Sequence, residues 1–210
     1  MMQNLFQVEG LFYRVLSKVW QLMLVNFLIL LASLPLITIG AAQTAGFTVT
    51  MRIIRGEETH LITAYVESFK QNFKQSTLLW AGLSVLSLIL IINWRYLFVM
   101  NQLWSVIAIG VMIVTLVVIY FLQCGFFYLA RFQDSLKDSF VNVLKVLVAY
   151  PIRSVGLLVV TIVPVLIVVL SPYLIIFSLY ISLFLGIGFV HLLRTYLLLA
   201  LFKKVEHRQS

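Results

Sequence analysis

Four ionisable residues crowd one polar stretch: Glu57, Glu58, His60 and Glu67, within RGEETHLITAYVE. Carboxylates beside an imidazole could exchange protons or hold a divalent metal. The spacing matches no metal-ligand pattern, and adjacent Glu57 and Glu58 would point apart on a helix. A solvated loop whose acids pair with Arg52, Arg55 and Lys70 is the reading expected here. No phosphate loop, nucleophile elbow or zinc-protease helix occurs elsewhere. The single cysteine, Cys124, lies in an apolar run, so there is neither a disulfide framework nor metal-ligand spacing. No metal, no cofactor and no enzyme activity are expected.

The other polar groups that could do chemistry sit inside greasy sequence. Residues 20–55 read WQLMLVNFLILLASLPLITIGAAQTAGFTVTMRIIR. Asn26 is the strongly polar residue of the first run, and Pro35 and Gly40 interrupt the apolar sequence after it. Gly40, Thr44 and Thr48 recur every fourth residue, as do Ala41 and Ala45. Small and hydroxyl residues at that spacing let helices approach closely and bond across. A broken, polar-lined element can instead line a substrate path, with Thr38, Gln43 and Thr44 as its lining. Asn26, Pro35, Thr38, Gly40, Gln43 and Thr44 are therefore candidates for path or for packing. Asn93 and Gln123 are expected to bond neighbouring helices, and His191 and Arg194 to sit at the interface. No Asp, Glu, Lys or Arg stands at the centre of a strong span, which disfavours an ion-coupled pump.

The elements that must position these residues are helices in lipid. The chain is 62% apolar and 10% charged over 210 residues, against about 45–50% and about 25% in soluble chains. The fold class is an all-α, polytopic transmembrane helix bundle forming one integral-membrane domain. Residues 1–19 suggest an interfacial helix with Val8, Leu11, Phe12, Val15, Leu16 and Val19 on one stripe. The run from Val19 to Ile39 outlasts the apolar core of a cleaved signal. Residues 20–54 form a first span, either one kinked helix or a hairpin turning at residues 35–40. Residues 52–77 are polar, and within them Ile62, Val66, Phe69 and Phe73 form the apolar side of a second amphipathic surface helix. A second hairpin occupies 78–124. Another amphipathic stretch, 131–145, puts Phe132, Leu136, Phe140, Val143 and Leu144 together. A third hairpin covers 146–193, breaking at Ser171 and Pro172, and 194–210 form a basic cytoplasmic tail.

Charge orients this plan. The net charge of +8 suits the basic cytoplasmic loops of a membrane protein better than nucleic-acid binding. Hydropathy favours five strong spans, because residues 40–54 are weakly apolar. A sixth span, completing three hairpins, leaves only Arg95 outside, whereas five also leave Arg14 and Lys18 there. Six spans obey the positive-inside rule better, and both arrangements put the C-terminus in the cytoplasm of a multi-pass cell-membrane protein. An internal echo links residues 67–75, ESFKQNFKQ, to residues 134–142, DSLKDSFVN, as in a repeated hairpin unit.

The run NFLILLASLPLITIGAAQTA of residues 26–45, joined downstream by RGEE at 55–58 and FKQNFKQ at 69–75, resembles the YesL-like family of bacterial membrane proteins. That family, a domain of unknown function, is found largely in Gram-positive bacteria. The ARF of residues 130–132 and residues 139–142 resemble its second half. The resemblance implies an accessory role beside carbohydrate uptake, with a membrane transporter or sensor complex as partner. It carries over no catalytic or ligand residue. Three functions stay open: an accessory or regulatory protein, a small transporter or channel with its path at residues 35–43, and a membrane-embedded enzyme.

Overall fold

The computed structural model describes residues 11–57, 60–132 and 134–206. Among them every regular element is helical: α1 (Leu11–Ala32), a 3-10 turn (Leu36–Thr38), α2 (Ile39–Arg55), α3 (Leu61–Val99), α4 (Val106–Arg131), α5 (Leu136–Ala149), α6 (Pro151–Val169), α7 (Pro172–Ile181), a π-turn (Ser182–Gly186) and α8 (Ile187–Glu206). Five stretches are long and apolar enough to cross a membrane: Val15–Ala32, Leu61–Val99, Val106–Arg131, Pro151–Val169 and Pro172–Phe202. The chain is thus an all-α helical bundle with the character of a membrane-embedded protein.

The hub is α2, which is not one of the five. Residues 20–54 form two helices, and α2 turns back along α1. Its 17 residues span about 25 Å, short of the roughly 30 Å hydrocarbon core. Eleven of them are buried, because α1, α3, α4 and α8 all pack against it. Small side chains make that crowding possible. A β-carbon on Gly40 would collide with the Ser76 carbonyl, and one on Gly46 would come within 2.7 Å of Ile29 Cδ1. Gly56 ends α2 at φ 70°, where its amide reaches back to the Arg52 and Ile53 carbonyls; glycine takes this left-handed C-cap without strain.

Three expected boundaries fall elsewhere. The N-terminal stripe belongs to α1, which runs through Trp20 without a break, and Val15 and Leu16 are exposed; Val8 lies outside the described residues. The amphipathic stretch 61–77 and the span at 78–92 are one helix of 39 residues, about 58 Å long, since no proline or glycine interrupts residues 61–81. Its buried face is also different. Ala64, Tyr65, Ser68 and Ser76 face inward, while Ile62, Val66 and Phe73 are exposed. The stripe expected on 131–145 contributes only Val143 to the core, although the exposed Phe140 ring stacks on Phe121 at 4.4 Å.

The break before the fourth span lies at Tyr150 and Pro151 rather than at Val146. Proline cannot donate to the preceding turn but suits the first position of a helix, so it ends α5 and opens α6. The break at Ser171 and Pro172 stands where expected. Beyond it, residues 194–206 are not a loose tail: α8 continues to Glu206, with Leu198, Leu201 and Phe202 in the core. The two echoing segments take unlike conformations. Residues 67–75 lie inside α3, whereas Ser135 caps the start of α5 by accepting from the Asp138 amide.

Candidate functional site

The turn between α1 and α2 is closed by side chains of the turn itself and of α3. Pro35 stands in extended backbone ahead of the 3-10 turn. The Thr38 hydroxyl lies 2.6 Å from the Ala32 carbonyl and 2.7 Å from that of Pro35, covering acceptors that the end of α1 leaves open. Trp80 Nε1 of α3 donates to the Leu36 carbonyl at 2.9 Å. Below this turn, α2 and α3 zip together through hydroxyls. Thr44 meets Ser76 at 2.8 Å and Thr48 meets Ser68 at 2.8 Å, while the Tyr65 hydroxyl donates to the Ala42 carbonyl. The two hydroxyl pairs progress in opposite senses along the two helices, as an antiparallel contact requires.

The opposite side of α2 meets a buried imidazole. His191 is 1% exposed, and its Nε2 lies 2.6 Å from Gln43 Oε1. The amide oxygen can only accept, so Nε2 is the donor. The ring leans on Phe47 with centroids 4.4 Å apart, and Nδ1 meets no protein partner among the described residues. His191 therefore lies inside the bundle and not on its outer surface. Phe47 continues to Phe127, and Phe127 to Phe202, so aromatic rings run from the imidazole to the end of α8.

Asn26 does a different job. It is fully buried and faces the π-turn. Its Nδ2 donates to the carbonyls of Ser182 and Leu183 at 3.1 and 2.9 Å, and its Oδ1 accepts from the Gly188 amide at 2.9 Å. A π-turn displaces backbone groups from the regular α-ladder, and one carboxamide supplies three of the missing partners. A β-carbon on Gly188 would meet the Leu22 carbonyl, so α1 and α8 touch here backbone to backbone.

The six candidates thus do not converge on one cavity. Pro35 and Thr38 shape the turn, Gly40 and Thr44 face α3, Gln43 faces α8, and Asn26 sits on α1. Of the remaining polar residues, Asn93 is exposed and bonds its own helix at Ile89. Gln123 accepts from Thr161 of α6 at 2.9 Å, a neighbouring helix as expected. Glu57 pairs with Arg55 at 3.6 Å, Glu58 lies outside the described residues, and among those residues no His, Cys, Asp and Glu group could hold a metal. Sequence reasoning missed the burial of His191, the inward-facing Ser68 and Ser76, and the Tyr128–Asp134–Asn142 network. In that network the Tyr128 hydroxyl donates to Asp134 at 2.6 Å and accepts from Asn142 at 2.9 Å. Gly188, close to His191 in an otherwise bulky run, is the signal that marked a close contact with α1 there.

No curated protein and no solved structure compared with the chain matches it. Residues 22–94, which hold α2 with parts of α1 and α3, match the family described as "Protein of unknown function, DUF624", the family to which the YesL-like resemblance points.

Proposed function

We propose that the protein is a non-enzymatic accessory component of the cell membrane that acts by lateral assembly with a membrane transporter or sensor. The carrying observation is how the hairpin's polar groups are engaged. Thr38, Thr44, Thr48, Gln43 and Asn26 each hold a neighbouring element, which suits a rigid scaffold better than a conduit. The outward faces suit assembly: α7 buries none of its residues within the chain. Association with carbohydrate uptake is the role suggested by the YesL-like resemblance, and the distribution of Lys and Arg supports a cytoplasmic C-terminus. The test is mild-detergent isolation of the tagged full chain from native membranes. Stoichiometric recovery of an integral carbohydrate permease is the expected result. Recovery of the chain alone, together with solute flux in proteoliposomes holding only this protein, would overturn it.

A transporter is the second reading, favoured by the half-buried Gln43 on the buried His191 and by the partnerless Nδ1. Solute flux in proteoliposomes of the lone protein, abolished by Gln43→Leu in preparations matched for folded protein, would establish it.

A further inference from the structure

A groove of about 380 Å³ lies between α6 and α8, lined by Arg153, Gly156, Leu157, Leu197, Ala200 and Leu201. Five of its six lining residues carry no charge or polar side chain. Gly156 and Ala200 leave the hollow that larger side chains would fill, and a β-carbon on Gly156 would meet no atom within 4 Å. Arg153 stands in the first turn of α6, at one end of the span Pro151–Val169, and the groove's α8 residues end next to Phe202, where the last span also ends. The charge therefore sits at the membrane boundary and the apolar lining extends towards the bilayer interior. Arg153 is exposed, and its Nη1 lies 3.5 Å from the Ala200 carbonyl, which holds the guanidinium over the groove's mouth. Among the described residues no carboxylate pairs with Arg153. Lys203 and Lys204 come directly after in sequence.

We infer that this groove is a binding site for an anionic phospholipid, with one acyl chain along Gly156, Leu157 and Leu197 and the phosphate on Arg153. An aqueous anion would gain nothing from the apolar lining, and the phosphate of a zwitterionic lipid, already offset by its own ammonium, would gain less from the guanidinium. Basic pockets between transmembrane helices at the boundary recognise anionic headgroups in this way. Arginine offers a planar fork of donors to phosphate oxygens, and the positive end of the α6 dipole adds to its field.

The test uses the full chain in bilayers of phosphatidylcholine with a minority of phosphatidylglycerol. The protein is extracted in mild detergent, and the lipids retained on the intact protein are weighed by mass spectrometry. Phosphatidylglycerol should be enriched over its share of the bilayer. Arg153→Gln should cut that enrichment by about fivefold, the worth of one basic residue near an anionic surface. Gly156→Leu should remove one retained lipid of either kind by filling the groove, with the unfolding midpoint unchanged or raised. Arg95→Gln, on a distant helix end, should change nothing. If Arg153→Gln fails to fold, Arg153→Lys, which should keep the enrichment, and Gly156→Leu still decide. No enrichment in the parent protein, equal enrichment in the Gly156→Leu variant, or an equal loss in Arg95→Gln would overturn the assignment.

Discussion

Replacing Asn26 by leucine tests the join between the first and last helices. The substitution keeps the heavy-atom branching and removes three hydrogen bonds, to the Ser182 and Leu183 carbonyls and from the Gly188 amide. Interhelical hydrogen bonds in membranes average about 0.6 kcal/mol, so their simple loss amounts to about 2 kcal/mol. That is a floor, because three backbone groups then lack partners, each costing roughly 1–3 kcal/mol when buried. The chain has one escape: the π-turn can anneal into the α register, since no proline occurs after Pro172. But removing one residue's worth of bulge rotates everything beyond it by about 100°. His191 would turn away from Gln43, and Leu198 and Phe202 would leave the core. Neither route is cheap, so Asn26→Leu should destabilise by at least about 2 kcal/mol in reversible unfolding from mixed micelles. Gly188→Ala pushes the same two helices apart. The double variant should therefore lose little more than the worse single one, as coupled sites do. A stability within about 0.5 kcal/mol of the parent, or strict additivity of the two substitutions, would refute the clamp.

Three further outcomes rest on the same contacts. Gly40→Val should cost at least about 2 kcal/mol by driving α2 off the Ser76 carbonyl, whereas Gly82→Ala, whose β-carbon meets open space, should be neutral or stabilising by up to about 1 kcal/mol; unfolding midpoints check both. Gln43→Leu should destabilise by about 1–3 kcal/mol by stranding His191, and adding His191→Phe should recover much of the loss, because an apolar pair has nothing left to satisfy; a double variant worse than Gln43→Leu would contradict this. Cys124, wholly buried beside Tyr120 and Phe121, should resist a membrane-permeant maleimide in the folded protein and label on unfolding, read by mass; rapid labelling of the folded protein would contradict its burial.

Much of the fold was legible because lipid imposes simple demands. Long apolar runs had to be helices, since no other open segment satisfies its own backbone in hydrocarbon. Pro35 and Pro172 marked breaks that the structure contains, whereas Gly40, expected to interrupt the run, lies in the first turn of α2. What the sequence left open traces to partners rather than to propensity. Nothing local distinguishes a surface helix over 61–77 from the first turns of α3. The choice depends on α2, whose hydroxyls select Ser68 and Ser76 and leave Ile62, Val66 and Phe73 outside. Asn26 was visible as a polar residue in a span, but its partners are backbone groups some 160 positions away, exposed by a π-turn that no residue type announces.

The hardest element to place was α2, and the reason is physical. Hydropathy along a membrane chain registers contact with lipid, not burial. A helix enclosed by four others needs no lipid-compatible surface, so it can carry Gly, Ala, Thr and Gln and read as weakly apolar, as α2 does. A helix that touches little protein must be apolar throughout, as is α7, PYLIIFSLYI, which buries nothing. The same logic inverts the usual stripe on α3. Between helices in a bilayer no hydrophobic gain is available, and packing and hydrogen bonds drive association instead. Hydroxyls therefore turn inward, where they find each other, and branched and aromatic side chains turn out. The small-residue ladder of residues 40–48 is in this sense the strongest structural signal in the chain, although it is the weakest signal for a span.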